Sequence, residues 1–182
     1  MKVLGEVEMF LGLQIKRDRE KRLIFINQKK YITKVLNKFA PDIQNAATTP
    51  WPPKKEIPHN WKKGKALKKT GSLNYISVGT RPNITYTVQK ICKANSGPIS
   101  IHKKIIKHLF KYLYGTKKLA IRLGGKYNYN NLNPRIINRL EMGSFKIQQI
   151  RTDKITADGL TKPLLKTAHA RFMKLLGIIM ME

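Results

Sequence analysis

The chain sets 37 lysines and arginines against 10 acidic residues, a formal net charge of +27. Self-repulsion at that charge opposes any compact state. A fold is possible only where apolar residues gather on one side of an element and the cations stay on the other. The chain has material for this: 41% of its 182 residues are hydrophobic. That length suits one ordinary domain or two very small ones. The same imbalance names a partner class. A polyanion relieves the repulsion, and nucleic acid is the commonest polyanion. Ribosomal and chromatin proteins share this balance, so charge alone gives a class of partner and no activity.

The apolar pattern divides the chain into segments. FLGLQI (residues 10–15) is β-prone, KRDRE (16–20) reads as a polar turn, and RLIFIN (22–27) as a second strand, together a hairpin. Over residues 28–39, Tyr31, Ile32, Val35, Leu36 and Phe39 fall on one helical face, Lys29, Lys30, Lys34 and Lys38 fall on the other, and Pro41 stops the helix. TTPWPPKKEIPHNWKKGK has four prolines and lies in a stretch, residues 41–66, that reads as a flexible linker. Trp51 and Trp61 could stack on bases there, but packing onto neighbouring helices is the favoured reading.

Residues 67–94 are helical, interrupted by Thr80-Arg81-Pro82, with Thr80 as cap and Pro82 in the first turn of the next helix. Ser100 is expected to cap a helix over 102–114, whose Ile105, Ile106, Leu109, Phe110 and Leu113 form one stripe ending at Gly115. Residues 117–125 read as a strand, and 126–143 are Asn-rich without a period. Residues 145–152 alternate like a strand, with Asp153 as cap beyond it, followed by helices over 155–165 and 169–176.

Cys92 is the single cysteine, so neither an internal disulfide nor a zinc cluster of cysteines can form. The first residues are too acidic for a signal peptide. No run approaches the roughly 20 apolar residues of a membrane span. These features predict a soluble intracellular protein, cytoplasmic or nuclear, with no membrane partner.

Several stretches closely resemble, in family order, the end of a Ty1/copia-type retrotransposon polyprotein: FLGLQIKRD, QKKYITKVLNKF, TPW, GSLNYISVGTRPNITYTVQKICK, HLFKYLYGTKKLAIRL and IRTDKITADGLTKPL. No general physical demand produces these motifs together. The resemblance implies a reverse-transcriptase hairpin of primer-grip type with its helix (1–40), the linker (41–66), thumb and connection helices (67–125), an irregular junction (126–144), and the last strand and helix of ribonuclease H with the polyprotein tail (145–182). The implied fold is α+β: an N-terminal β-hairpin, a helical thumb-like bundle and a short C-terminal strand–helix remnant of a ribonuclease H fold.

The polymerase of that family holds two Mg²⁺ ions on paired aspartates, which activate the primer hydroxyl and stabilise the leaving pyrophosphate. No Asp-Asp pair occurs in this sequence; family order puts that turn upstream of residue 1. Ribonuclease H places about four carboxylates around two metals roughly 4 Å apart. Asp158, in TADGLTKP, matches the last of them, and the first three have no counterpart. A lone carboxylate is a weak Mg²⁺ site, so Asp158 reads as an orphan metal ligand. No catalytic residue and no cofactor is expected, although the intact family uses Mg²⁺.

His59, His102, His108 and His169 are scattered, Ser72, Ser77 and Cys92 have no Asp–His partner at a recognisable spacing, and Gly124-Gly125 is no phosphate loop. The live feature is a basic surface made of Lys62, Lys63, Lys65, Lys68, Lys69, Arg81, Lys103, Lys104, Lys107, Lys111, Lys117 and Lys118. Such a surface neutralises phosphates without reading sequence, as a thumb does on an RNA–DNA hybrid or duplex DNA. The plain alternative is a solvated charged face. Three functions fit: an inactive polyprotein remnant that binds nucleic acid, a thumb and connection fragment that completes a palm-containing polymerase chain, and a domesticated basic RNA- or DNA-binding protein.

Overall fold

The computed structural model describes residues 6–53, 69–94, 99–124 and 155–181. The chain enters through β1 (Met9–Phe10) and β2 (Leu13–Asp18), joined by a two-residue turn in which Leu11 and Gly12 take positive φ, 47° and 78°. Two left-handed residues in succession match the twist of an antiparallel pair. Glycine adopts this conformation freely, whereas leucine does so at a cost of roughly 1 kcal/mol. A second turn, in which the Asp18 carboxylate accepts the Lys21 N–H at 2.9 Å, leads to β3 (Leu23–Asn27). FLGLQI is therefore bent at Leu11–Gly12, and Lys16, Arg17 and Asp18 extend β2 where the sequence reads as a turn.

α1 (Lys29–Phe39) buries Ile32, Val35 and Leu36 and turns its lysines outward, as its period predicts. α2 (Thr70–Gly79) ends at Thr80, whose N–H returns to the Ile76 carbonyl and whose hydroxyl donates to Gln28 Oε1 at 2.8 Å. Thr80 thus closes α2 and does not open the next helix. Pro82 begins a 3-10 turn, Pro82–Ile84, that runs into α3 (Thr85–Lys93). α4 (Ser100–Gly115) includes Ser100 in its first turn. Its start is fixed by His102 Nδ1, which accepts the Ile99 N–H at 3.0 Å.

β4 (Leu119–Gly124) returns antiparallel to β3, with Phe25 opposite Arg122. The expected helix over 155–165 is a single turn, α5 (Asp158–Thr161): Lys162 is extended, as a residue before proline prefers. α6 (Lys166–Leu175) follows, and then β5 (Ile178–Met180), unforeseen in the sequence, pairs antiparallel with β4. The sheet order is β1-β2-β3-β4-β5. One sheet therefore draws strands from three segments that the sequence suggests dividing.

The core lies between the helices. Ile105, Leu109 and Leu113 of α4 are fully buried in one cluster with Ile32, Leu73, Ile76 and Ile91. Each such side chain contributes roughly 1.5–3 kcal/mol through burial. The described part of the expected linker is built into this core. Ile43 and Trp51 are buried, Trp51 meets the Tyr86 ring edge-on at 5.1 Å, and the Ala47 N–H donates to the Lys111 carbonyl. The strand expected at 145–152, the Asp153 cap, the junction 126–144, His59 and Trp61 lie outside the described residues.

Candidate nucleic-acid interface

α4 sorts its residues by period. Ile105, Ile106, Leu109, Phe110, Tyr112 and Leu113 face the core, while Lys103, Lys104 and Lys107 are exposed and Lys111 is half-buried. Lys103, Lys107 and Lys111 recur every fourth residue, about 6 Å apart along the axis. Among the described residues none of the three has a carboxylate partner; the ion pairs there are Arg19–Glu6, Lys21–Asp18 and Lys162–Asp158. Lys117 lies with Nζ 5.0 Å from the centre of the Tyr114 ring, and Lys118 is exposed at the start of the final strand pair. Lys69 is partly engaged: its Nζ donates to the Phe39 carbonyl at 3.2 Å and lies within 6 Å of the Phe39 and Phe110 rings, at 5.7 and 5.8 Å. Lys62, Lys63, Lys65 and Lys68 lie outside the described residues.

Arg81 corrects the sequence reading. It is 0% exposed and cannot reach a phosphate on the surface. Its Nε donates to Asn83 Oδ1 at 3.1 Å, and its other nitrogens donate to the carbonyl and hydroxyl of Thr116 at 2.9 and 2.8 Å. The guanidinium sits 5.5 Å from the centre of the Tyr112 ring. Burial lowers its pKa from the ordinary value, and Tyr112 opposes that shift. Three neutral acceptors and a ring face thus take the place of a carboxylate.

The same cluster reaches the C-terminal helix. Asn83 donates to the Tyr112 hydroxyl, which lies 2.9 Å from His169 Nε2 and 3.3 Å from Met173 Sδ. Burial pushes the Tyr112 phenol up, while Arg81 pulls it down. Burial, with the nearby Arg81 charge, holds His169 at about 4. His169 is therefore neutral at physiological pH, and its tautomer decides whether Nε2 donates to the Tyr112 hydroxyl or accepts from it. Sequence reasoning missed this network because an arginine without an acid nearby in sequence reads as surface.

Asp158 opens α5, half-buried, and its carboxylate pairs with Lys162 Nζ at 3.1 Å. A Cβ on Gly159 would lie 2.6 Å from the Phe172 ring, so glycine lets this turn close against α6. Among the described residues Asp158 is the sole acid lining its cavity, which Arg171 also lines. Among the described residues, one carboxylate bound by one ammonium does not supply the converging oxygens of a two-metal centre. His102 Nδ1 accepts the Ile99 N–H at the start of α4, and His108 Nε2 lies 2.9 Å from the Thr49 carbonyl.

The first hairpin adds a second feature. Met9, Phe10 and Leu11 are exposed at its tip, and the Tyr75 hydroxyl donates to the Leu11 carbonyl. The Tyr75 ring meets Tyr31 edge-on at 4.9 Å, which ties the tip to α1 and α2.

The retrovirus-related Pol polyprotein from transposon TNT 1-94 of Nicotiana tabacum is 31% identical to this chain over 136 residues, 69% of this chain and 10% of that protein. The chain is related to a retrotransposon Pol polyprotein. It is also 31% identical over 120 residues to an uncharacterized mitochondrial protein of Arabidopsis thaliana, covering 64% of this chain and 49% of that one. The chain thus spans a tenth of the transposon polyprotein and about half of the mitochondrial protein. No family model and no solved structure matches. Among the described residues no helix is long and apolar enough to cross a membrane.

Proposed function

We propose that this chain is a non-catalytic portion of a Ty1/copia-type polyprotein, from its reverse transcriptase and ribonuclease H region, that holds nucleic acid by its backbone. The observation that carries the reading is the row Lys103, Lys107 and Lys111 on one rigid helix, without carboxylate partners among the described residues. Cations on a helix packed into a core keep their spacing, so they meet successive phosphates without reading bases. The absence of any Asp-Asp pair in the sequence supports the non-catalytic part.

The test is a fluorescence-anisotropy titration of labelled RNA–DNA hybrid and duplex DNA of equal length over a salt series. Binding whose log affinity falls linearly with log salt is expected. Failure to bind either duplex at low salt would overturn the reading. A Mg²⁺-dependent nuclease turnover abolished by Asp158→Asn would overturn its non-catalytic half.

The hairpin favours a second reading, in which this chain completes a palm-containing polymerase chain. By the resemblance, this hairpin follows the palm and touches the primer end, and its tip exposes Met9, Phe10 and Leu11. Mixing the chain with a palm-containing partner should restore primer extension; no restoration rules the reading out.

A further inference from the structure

Between the end of α1 and the outer face of α4 lies a cleft of about 390 Å³, within the range of roughly 300–1,000 Å³ of small-ligand sites. Phe39, Ile43, Ile106 and Phe110 give it an apolar lining, and Lys69, Lys103 and Lys107 also line it, with Asp42 the only acid among the described residues. Phe39 is half-buried, and Lys38 Nζ and Lys69 Nζ lie 5.3 and 5.7 Å from its ring centre. An occupant must therefore be apolar enough to lie along the floor and anionic at its edges.

The cleft opens beside the lysine row. Lys103 and Lys107 belong to both, and Lys111 continues the row one turn beyond. A polymer with anions at regular intervals and a flat ring on each unit fits cleft and row together. An acidic peptide with an apolar anchor fits the cleft but gives the row no regular partner. We propose that the cleft seats one unpaired base of a single-stranded nucleic acid against Phe39, with the flanking phosphates on Lys103 and Lys107. This rests on the nucleic-acid reading and adds what backbone contact alone lacks, a preference for strands with unpaired bases. Stacking on an aromatic ring tolerates every base, so no sequence preference accompanies it.

The experiment uses the full chain and three labelled probes in an anisotropy titration: a short oligothymidylate, an abasic strand of equal length and charge, and a duplex. The oligothymidylate should bind about tenfold tighter than the abasic strand. Phe39→Ala and Phe39→Leu should both remove that difference while keeping the duplex affinity of the wild type, which also reports that the variants fold. Phe39→Tyr should retain the difference. If the wild type binds the normal and abasic strands equally, the base seat is wrong and the phosphate reading stands. If it binds none of the three probes, both are wrong. If an acidic, Phe-containing peptide binds in a Phe39-dependent way while the oligonucleotides show no base dependence, the cleft belongs to a peptide and the proposal is overturned.

Discussion

The Tyr112 hydroxyl and His169 Nε2 lie 2.9 Å apart across 57 residues of chain. This contact fastens α6 to α4, and through Asn83 and Arg81 it ties both to the turn before α3. Tyr112→Phe would leave the Asn83 amide and His169 without their shared partner in a buried site. A loss of about 1–3 kcal/mol in unfolding free energy is expected, read as a shift in the urea midpoint. Hydrogen exchange should show earlier opening of α6 and β5 than in the wild type.

His169 gives the fold a pH dependence. Its pKa is lowered from the ordinary 6.5 to about 4 in the folded state. The unfolded chain therefore binds the extra proton more readily, and stability from this group is fully present above pH 6.5. It is lost as pH falls from there towards 4 and reaches at most about 3 kcal/mol. The midpoint of thermal unfolding should drop over that window. In His169→Gln that part of the drop should vanish; an unchanged pH profile would refute the assignment.

Leu11 stores strain at an exposed site. Its φ of 47° places it in the left-handed region. Leu11→Asn gives the Asn-Gly pair that such turns favour and should raise stability by about 0.5–1 kcal/mol in a urea titration. A destabilised variant would mean that the leucine side chain, and not the turn, sets the local energy.

Asp158 is a surface pair partner. Asp158→Asn removes its contact with Lys162 and should cost under about 1 kcal/mol. Calorimetric titration with Mg²⁺ should give no site-specific heat in either protein. A stoichiometric heat lost in the variant would restore a metal-binding role.

Much of the helical frame was legible from period alone. In α1 and α4 the apolar stripes and opposing lysines are what the core requires, because +27 of charge leaves few alternatives. The residues that local patterning misplaced are those whose position is set at long range. Arg81 has no acidic residue near it in sequence, yet Thr116, 35 residues on, supplies two of its acceptors. Ile178–Met180 is too short to show alternation and becomes a strand because β4 offers a free edge. Trp51 packs inward against the Tyr86 ring, as favoured from sequence, and it is the prolines around it, read as linker, that were misplaced. The cleft floor combines Phe39 and Ile43 with the distant Ile106, so no single motif announces it. Asp158, which the ribonuclease H resemblance singles out, pairs with Lys162 one turn on.

The measurement that bears most directly on the account is the salt slope of duplex binding by wild type and by the triple variant Lys103→Gln, Lys107→Gln, Lys111→Gln. If these lysines meet phosphates, the variant should bind more weakly and its log–log slope should be shallower by about 2–3 units, one lost contact each at roughly 0.9. An equal slope and affinity in the two proteins would contradict the claim, because it would leave the row a solvated face with no part in binding.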